Sequence, residues 1–364
     1  MRIGIDAHML GDHSGGNESF YSGILRALIP DPGDEYVLFM KPGVDDSEYR
    51  DGFRIVRFRS KNAFVRNFVE LPFLAVKYRL DVLHTQYYIP FIRPCPVVCT
   101  IHDICFEHFR DIFTKGEYIR NKILIPYAAK HSARIVTVSE FSKRDIADCY
   151  GVPSDKIEVI YNAVDSIFRR MTDEELTRIN VRKKFGIGDE PYIICVGNLQ
   201  PRKNIPRLIE AYSMYIKMHP DSRLKLVIVG KKAWMYEDIL RKVRAESGDI
   251  VLTGYVERVD LVALLNEAKG FVYPSIFEGF GIPPLEALAC GTPVAVSDIE
   301  VMHEVLGDVA RYFDPYDVED LEKAIEGFVP LDGEGREGAF QNICERYSWG
   351  ESAERIKRVY RGGL

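Results

Sequence analysis

Short apolar runs recur along the chain, each followed by a polar loop and a stretch of helical spacing. Strands alternating with helices in this way imply parallel sheets, because parallel neighbours need a long crossover, usually a helix. Arg2-Ile3-Gly4-Ile5-Asp6-Ala7 opens the pattern, followed by a loop with Gly15-Gly16 and a helix expected from Glu18 to Ile29. Further buried strands are expected at Tyr36–Met40, Asp81–Thr85, Pro96–Ile101, Arg134–Val138 and Ile157–Tyr161, with helices over Asn62–Tyr78 and Phe141–Tyr150. At Tyr192-Ile193-Ile194-Cys195-Val196-Gly197 the pattern starts again. A helix over Pro206–Met218 follows, with strands at Leu224–Val229, Ile250–Leu252, Gly270–Tyr273 and Pro293–Val296. Such a restart in 364 residues reads as an α/β chain of two doubly wound, Rossmann-like domains.

The domains are drawn at 1–168 and 191–345. Between them the charged stretch Asp165–Glu190, with Arg169-Arg170 and Asp173-Glu174-Glu175, carries a partly helical linker, set at 169–190. Residues 346–364 form a last helix expected to pack back on the first domain. Two such domains on one linker are expected to face an interdomain cleft. Ligands of doubly wound sheets bind outside the carboxyl ends of the strands, so loops directly after strands carry the most weight.

Composition excludes several classes. Lys and Arg number 48 and Asp and Glu 54, a net charge of −6 with no long basic run, which speaks against a nucleic-acid binder. The seven cysteines are scattered and none forms a Cys-x-x-Cys pair, the pattern of reduced thiols in a cytosolic protein. Met1 to Asp6 runs straight into a strand, so no signal peptide is expected. No apolar run approaches the ~18 residues of a membrane span, and the expected location is cytoplasmic. The first strand lacks a following Gly-x-Gly-x-x-Gly, which argues against a nicotinamide dehydrogenase. No Asp-x-Asp occurs, and the eight histidines are not expected to cluster with carboxylates, so no catalytic metal is expected.

The most informative segment runs from Ser275 to Pro293, after the strand Phe271-Val272-Tyr273. Pro283 and Pro284 suit a first helical turn and Gly291 suits the stop, which brackets a short helix. Before it, Gly279 and Gly281 are expected to leave the backbone uncovered around Phe280 and Ile282. Their N–H groups and the helix N-terminus make an anion site. Glu278 precedes that site and Glu286 lies in the helix. A carboxylate beside an anion site is costly unless it binds hydroxyls, which suits sugar or ribose. The plainer reading of Glu286 alone is a residue on a solvated helix face.

This stretch resembles the Glu-x7-Glu signature of retaining family 4 glycosyltransferases with the GT-B fold. The resemblance implies that Glu278 contacts donor-sugar hydroxyls and Glu286 the nucleotide ribose. Pro284, Ala287, Gly291, Thr292, Pro293 and Val294 also fit the family pattern. After Gly197, the loop Asn198-Leu199-Gln200-Pro201-Arg202-Lys203-Asn204 resembles the family's Arg-Lys-Asn pattern, in which Arg202 and Lys203 neutralise the leaving diphosphate. The alternative is a solvated basic turn. Thr100-Ile101-His102-Asp103 ends a strand. His102 resembles the family's cleft-facing histidine near the reacting carbon, against a core histidine as the bland reading; Asp103 either orients it or meets the acceptor. The loop His13-Ser14-Gly15-Gly16-Asn17 resembles the family's glycine-rich loop, implying phosphate contact at Gly15 and Gly16 and acceptor contact at Asn17. Lys231 lies where it could approach donor phosphate or sugar, and Tyr255 and Val256 fall in the segment that lines the family's nucleobase pocket. Ser139 and Ser142 are read as caps of the next helix, and Tyr161-Asn162-Ala163-Val164-Asp165 as structural.

Arg50 to Arg66 carries six basic residues against one acid, Asp51, and precedes an aromatic, apolar helix. Contact with anionic lipid through residues 50–76, and a strand and core helix with a solvated basic edge, are both open. The resemblance implies a hexosyltransferase that retains anomeric configuration without metal or cofactor. Its leading donor is GDP-mannose, with a UDP-sugar as alternative, and its acceptor is a saccharide or lipid-linked hydroxyl. An epimerase, a phosphorylase or a non-catalytic nucleotide-sugar binder shares the architecture. For a phosphorylase no cofactor lysine can be pointed to.

Overall fold

The computed structural model describes residues 1–12, 15–231, 241, 249–328 and 342–362. The chain divides into two units, Met1–Ala163 with Ser348–Leu364, and Val164–Tyr347.

The first unit is built on seven parallel strands: β1 (Arg2–Asp6), β2 (Glu35–Met40), β3 (Arg54–Arg57), β4 (Val82–Gln86), β5 (Val97–Thr100), β6 (Arg134–Thr137) and β7 (Ile157–Val159). Their order is β3-β2-β1-β4-β5-β6-β7. Central strands are buried on both faces, which is why they read as near-continuous apolar runs. Val37, Phe39, Leu83, Val97 and Ile135 fill one side beneath Leu71, Leu74, Ile125 and Ala128 from the covering helices. β3 lies at the sheet edge, with Arg54 exposed and its other residues half-buried, so its sequence carries no such run. Helix Gly16–Ala27 buries Phe20, Tyr21, Ile24 and Leu25. The last helix, Trp349–Gly362, packs against it, burying Ala353, Ile356 and Tyr360. Gly23 permits this: a Cβ there would lie 2.3 Å from the Trp349 indole.

The second unit has six parallel strands: β8 (Tyr192–Val196), β9 (Lys225–Val229), β10 (Ile250–Gly254), β11 (Gly270–Tyr273), β12 (Val294–Ser297) and β13 (Arg311–Phe313). Their order is β10-β9-β8-β11-β12-β13. Ile193, Cys195, Leu226 and Val272 pack beneath Leu208 and Tyr212 of helix Ile205–Met218. The stretch 165–190 is helical over Asp173–Ile179 and Val181–Lys184 and belongs to this unit. Lys184 pairs with Asp260 at 2.6 Å, and Arg182 with Glu267.

The expected strand positions hold to within a residue or two; β3 is the strand of the plainer reading of the basic stretch, and β13 is an additional short edge strand. The helix expected over Asn62–Tyr78 contains a wider turn. It runs α over Ala63–Val65, π over Arg66–Glu70 and α over Leu71–Lys77. All seven cysteines are free thiols. Among the described residues no helix is long and apolar enough to cross a membrane.

Candidate active site

In the second unit the strand order reverses between β8 and β11. Loops that leave the carboxyl ends on either side of such a switch diverge and open a crevice. The loop after β8 carries Arg202 and Lys203, and the loop after β11 carries Glu278. The two segments are pinned together by the backbone, Ile276 N–H donating to Arg202 O at 2.9 Å.

Their side chains converge on one carboxylate oxygen. Glu278 Oε1 lies 2.6 Å from Arg202 Nη1 and 2.5 Å from Lys203 Nζ. Lys203 Nζ also donates to Tyr273 Oη at 2.5 Å, and Arg202 Nη1 to Phe277 O at 3.1 Å. Glu278 and Lys203 are buried, whereas the Arg202 side chain keeps 24% of its exposure. Burial alone would raise the Glu278 pKa, but the two cations outweigh it and hold the carboxyl well below its usual range. Burial pushes Lys203 down, with Glu278 opposing the shift. Two cations against one carboxylate leave an excess positive charge at the crevice, partly shielded from water, which favours a diphosphate.

Helix Ile282–Ala289 starts with Pro283 in its first turn and is stopped by left-handed Gly291 (φ 83°). Gly281, its N-cap, has φ 89°, and a Cβ there would lie 2.4 Å from Met302 Cε. The loop is less open than its glycines suggest: Gly279, Phe280, Gly281 and Ile282 are all buried. Phe280 stacks edge-on against Tyr347 with centroids 5.3 Å apart, and Met302 from the next helix covers Gly281. Glu286 is half-buried, and loss of water raises its pKa to about 7, with Arg258 opposing and Asp165 reinforcing the shift. Arg258 itself pairs with Asp165 at 2.8 Å.

On the other side of β8, Gly197 N–H donates to Val229 O and Leu199 N–H to Lys231 O. The loops after β8 and β9 therefore run together. Lys231 Nζ sits 4.9 Å above the Tyr255 ring. Tyr255 is exposed and Val256 buried. Lys232 lies outside the described residues.

In the first unit His102 follows β5 and is only 5% exposed. With the Gln86 amide as donor, His102 Nε2 accepts at 2.6 Å, which leaves the ring proton on Nδ1. Phe20 packs edge-on against the ring at 5.0 Å. Burial lowers the His102 pKa to about 3, so the ring is neutral near pH 7. Asp103 Oδ1 accepts Cys105 N–H at 3.0 Å, just before the helical turn Cys105–His108. Gly15 and Gly16 are exposed and Asn17 half-buried at the start of helix Gly16–Ala27; His13 and Ser14 lie outside the described residues. Ser139 Oγ accepts Ser142 N–H at 3.0 Å and caps helix Glu140–Tyr150.

Three residues joined to these sites carry no local motif: Tyr273, Gln86 and Arg258. Tyr273 and Gln86 end β11 and β4, a position that could have marked them. The reading that histidines stand apart from carboxylates is corrected by the fold. His8 meets Asp6 at 2.9 Å, His108 meets Asp145 at 2.8 Å and His303 meets Asp298 at 2.6 Å. Asp6–His8 and Asp298–His303 are close in sequence, whereas His108–Asp145 becomes a pair only on folding. Among the described residues one group could hold a metal ion: His108, Asp145 and Cys149, whose ligand atoms lie within 4.8 Å of one another.

Known proteins match both units. The model of Glycosyltransferase Family 4 matches residues 15–167, and that of Glycosyl transferases group 1 matches residues 177–338. O-antigen chain mannosyltransferase B of Escherichia coli is 35% identical over 231 residues, 61% of this chain and 58% of that protein. The aligned stretch thus spans less than two thirds of that relative. O-antigen chain mannosyltransferase RfbU of Salmonella typhimurium is 34% identical over 270 residues, 74% of this chain and 69% of that protein. Among solved structures, Anabaena Alr3699/HepE in complex with UDP-glucose superposes with a TM-score of 0.76 at 16% identity, over 99% of each chain.

Proposed function

The chain belongs to glycosyltransferase family 4, with two Rossmann-like domains of the GT-B architecture. From that premise we propose that it is a retaining, metal-independent hexosyltransferase that moves mannose from GDP-mannose to a hydroxyl of a saccharide or lipid-linked saccharide. The relatives named as mannosyltransferases support the sugar. The observation that carries the reading is the convergence of Arg202, Lys203 and Glu278 at the switch point of the second sheet.

In this reading the bond between the anomeric carbon and the diphosphate oxygen breaks. Arg202 and Lys203 receive the charge that develops on the diphosphate, in place of a metal. Glu278, kept ionised by those same cations, accepts hydrogen bonds from sugar hydroxyls. Glu286 accepts from the ribose, whose two donors favour its ionised form. The family resemblance gives neutral His102 a role toward the sugar, with Gln86 fixing its tautomer. Retention by double displacement would need two carboxylates flanking the anomeric carbon. The site nominates only Glu278, so the acceptor oxygen attacks on the face the diphosphate leaves, and its proton passes to a phosphate oxygen.

The test is a thermal-shift screen with GDP, UDP and their sugars, followed by product detection with labelled donor. GDP and GDP-mannose should raise the melting temperature, by about 2.7 kcal/mol of stabilisation at a hundredfold excess over Kd. A shift with UDP-sugars alone would move the donor to the uridine class. Binding of a nucleotide sugar with no transfer to any saccharide would refute the transferase reading.

A further inference from the structure

The helical segment Ala63–Lys77 is apolar on two faces. Leu71, Leu74 and Ala75 are buried in the core and Arg66 and Asn67 are buried beside them, while Phe64, Val65, Val69, Phe73 and Val76 are 40% to 62% exposed. An ordinary surface helix turns polar residues to its outer face. The exposed apolar residues do not end with this helix. Phe64 and Phe68 rings lie 4.7 Å apart, Phe68 stacks on Phe91 at 4.6 Å, and Phe91 meets Tyr127 edge-on at 5.1 Å. This run of rings ties the segment to the loop before β5 and to helix Lys115–His131. On that loop Ile92 is 71% exposed, and on that helix Ile119 and Ile123, two turns and one turn before Tyr127, are 58% and 62% exposed.

The charge around these residues is one-sided. The segments 59–77, 88–96 and 115–131 together hold nine Lys and Arg against two carboxylates, in a chain whose net charge is −6. Both carboxylates are engaged by backbone: Glu70 accepts N–H from Arg59 and Ser60, and Glu117 closes the capping box with Thr114. Among the nine cations, Arg66 is buried and Lys122 is paired with Glu107. Arg59, Lys61, Lys77, Lys115, Arg120 and Lys130 remain exposed.

We propose that this face of the first unit docks on a bilayer containing anionic lipid. Apolar side chains that stand out from the surface, with cations around them, match headgroups lying over hydrocarbon. The aromatic stack gives the face a fixed shape before it meets the lipid. The inference goes beyond the transferase reading and is independent of the donor.

The test is sedimentation of the full chain with vesicles of phosphatidylcholine, with and without about 30% phosphatidylglycerol. The chain should pellet with the anionic vesicles, and the bound fraction should fall as salt rises from about 0.05 to about 0.5 M. The variants Val69→Glu with Phe73→Glu, and Ile119→Glu with Ile123→Glu, should each weaken binding at least about tenfold. Circular dichroism should show them folded, and their affinity for GDP should match the parent. Absence of binding to anionic vesicles, or binding untouched by both variants, overturns the proposal. So does a concentration-dependent dimer that the same variants abolish, because a second copy would then cover the face. Loss of nucleotide binding in the parent would count against the transferase reading alone.

Discussion

Replacing Glu278 with Gln keeps the side-chain shape and removes the charge that Arg202 and Lys203 share. The cost can be worked from their surroundings. Lys203 is 7% exposed, so its pair with Glu278 is largely dry. Breaking a buried pair costs about 3–5 kcal/mol, mostly because a charge is left without compensation. Tyr273 Oη at 2.5 Å remains to accept from Lys203, which places the expectation near the lower end. The Arg202 side chain is 24% exposed, so its share is about 1 kcal/mol or less. A loss of about 3 kcal/mol in a domain of this size lowers the melting temperature by about 6–12 °C. The same substitution removes the anion that competes with a diphosphate for both cations. GDP should therefore stabilise the variant at least as much as the parent, while transfer slows at least about tenfold, or ~1.4 kcal/mol, because the sugar loses its acceptor. Differential scanning fluorimetry with and without GDP, and calorimetry on both proteins, measure each part. An unchanged melting temperature would refute the electrostatic account. A variant that no longer responds to GDP would refute the assignment of the diphosphate to Arg202 and Lys203.

Glu286, raised from 4.5 to about 7, holds a proton in the folded state that the unfolded chain has released between those pH values. It therefore lowers stability as pH rises from 4.5 to 7, by about 3 kcal/mol at ~1.4 kcal/mol per decade. Glu286→Gln should remove that slope in a pH series of denaturant melts. It should also weaken GDP and GDP-mannose alike, by about 1.5–3 kcal/mol for a lost charged hydrogen bond. A loss confined to the sugar nucleotide would contradict its place at the ribose. His102→Ala leaves the Gln86 amide without its buried partner, so about 1–3 kcal/mol of stability should go with it. The turnover of the folded fraction then decides: a rate near the parent's would make His102 a core residue only. If Arg202 and Lys203 meet the diphosphate as proposed, activity should survive excess EDTA; complete loss restored by Mg²⁺ or Mn²⁺ would refute this.

The central strands were readable because burial on both faces leaves a continuous apolar run, as in Tyr192–Val196. Edge strands were less legible: Ile157–Val159 and Ile250–Gly254 were readable, Arg54–Arg57 was one of two open readings, and Arg311–Phe313, with one neighbour and a short run, did not stand out. Glu278, Glu286, Arg202 and Lys203 stood out because motif and strand-end position agree. That the first, third and fourth of these share one carboxylate oxygen could not be read, since the contact spans 75 residues and depends on sheet order. The burial of Gly279–Ile282 was hidden for the same reason, Met302 arriving from a different helix. Spacing along Ala63–Lys77 could not tell which apolar face turns inward, because the π turn shifts the register within it.

The return of the last helix to the first unit sets an order of events during synthesis. The chain leaves that unit at Ala163 and rejoins it at Ser348. Every residue of the second unit is therefore made before the first unit can be finished. Until the segment from Ser348 onward is made, Phe20 lacks the Trp349 ring that meets it at 6.5 Å. His84, buried within β4, lacks the Tyr360 hydroxyl that bonds its Nδ1 at 2.7 Å across 276 residues. Contacts this distant in sequence form slowly, and the apolar surface waiting for them is open to misassembly. The growing chain thus passes through a stage in which the second unit has been made and the first still needs its last helix, so a ribosome that stalls before Trp349 leaves the first-made unit unfinished.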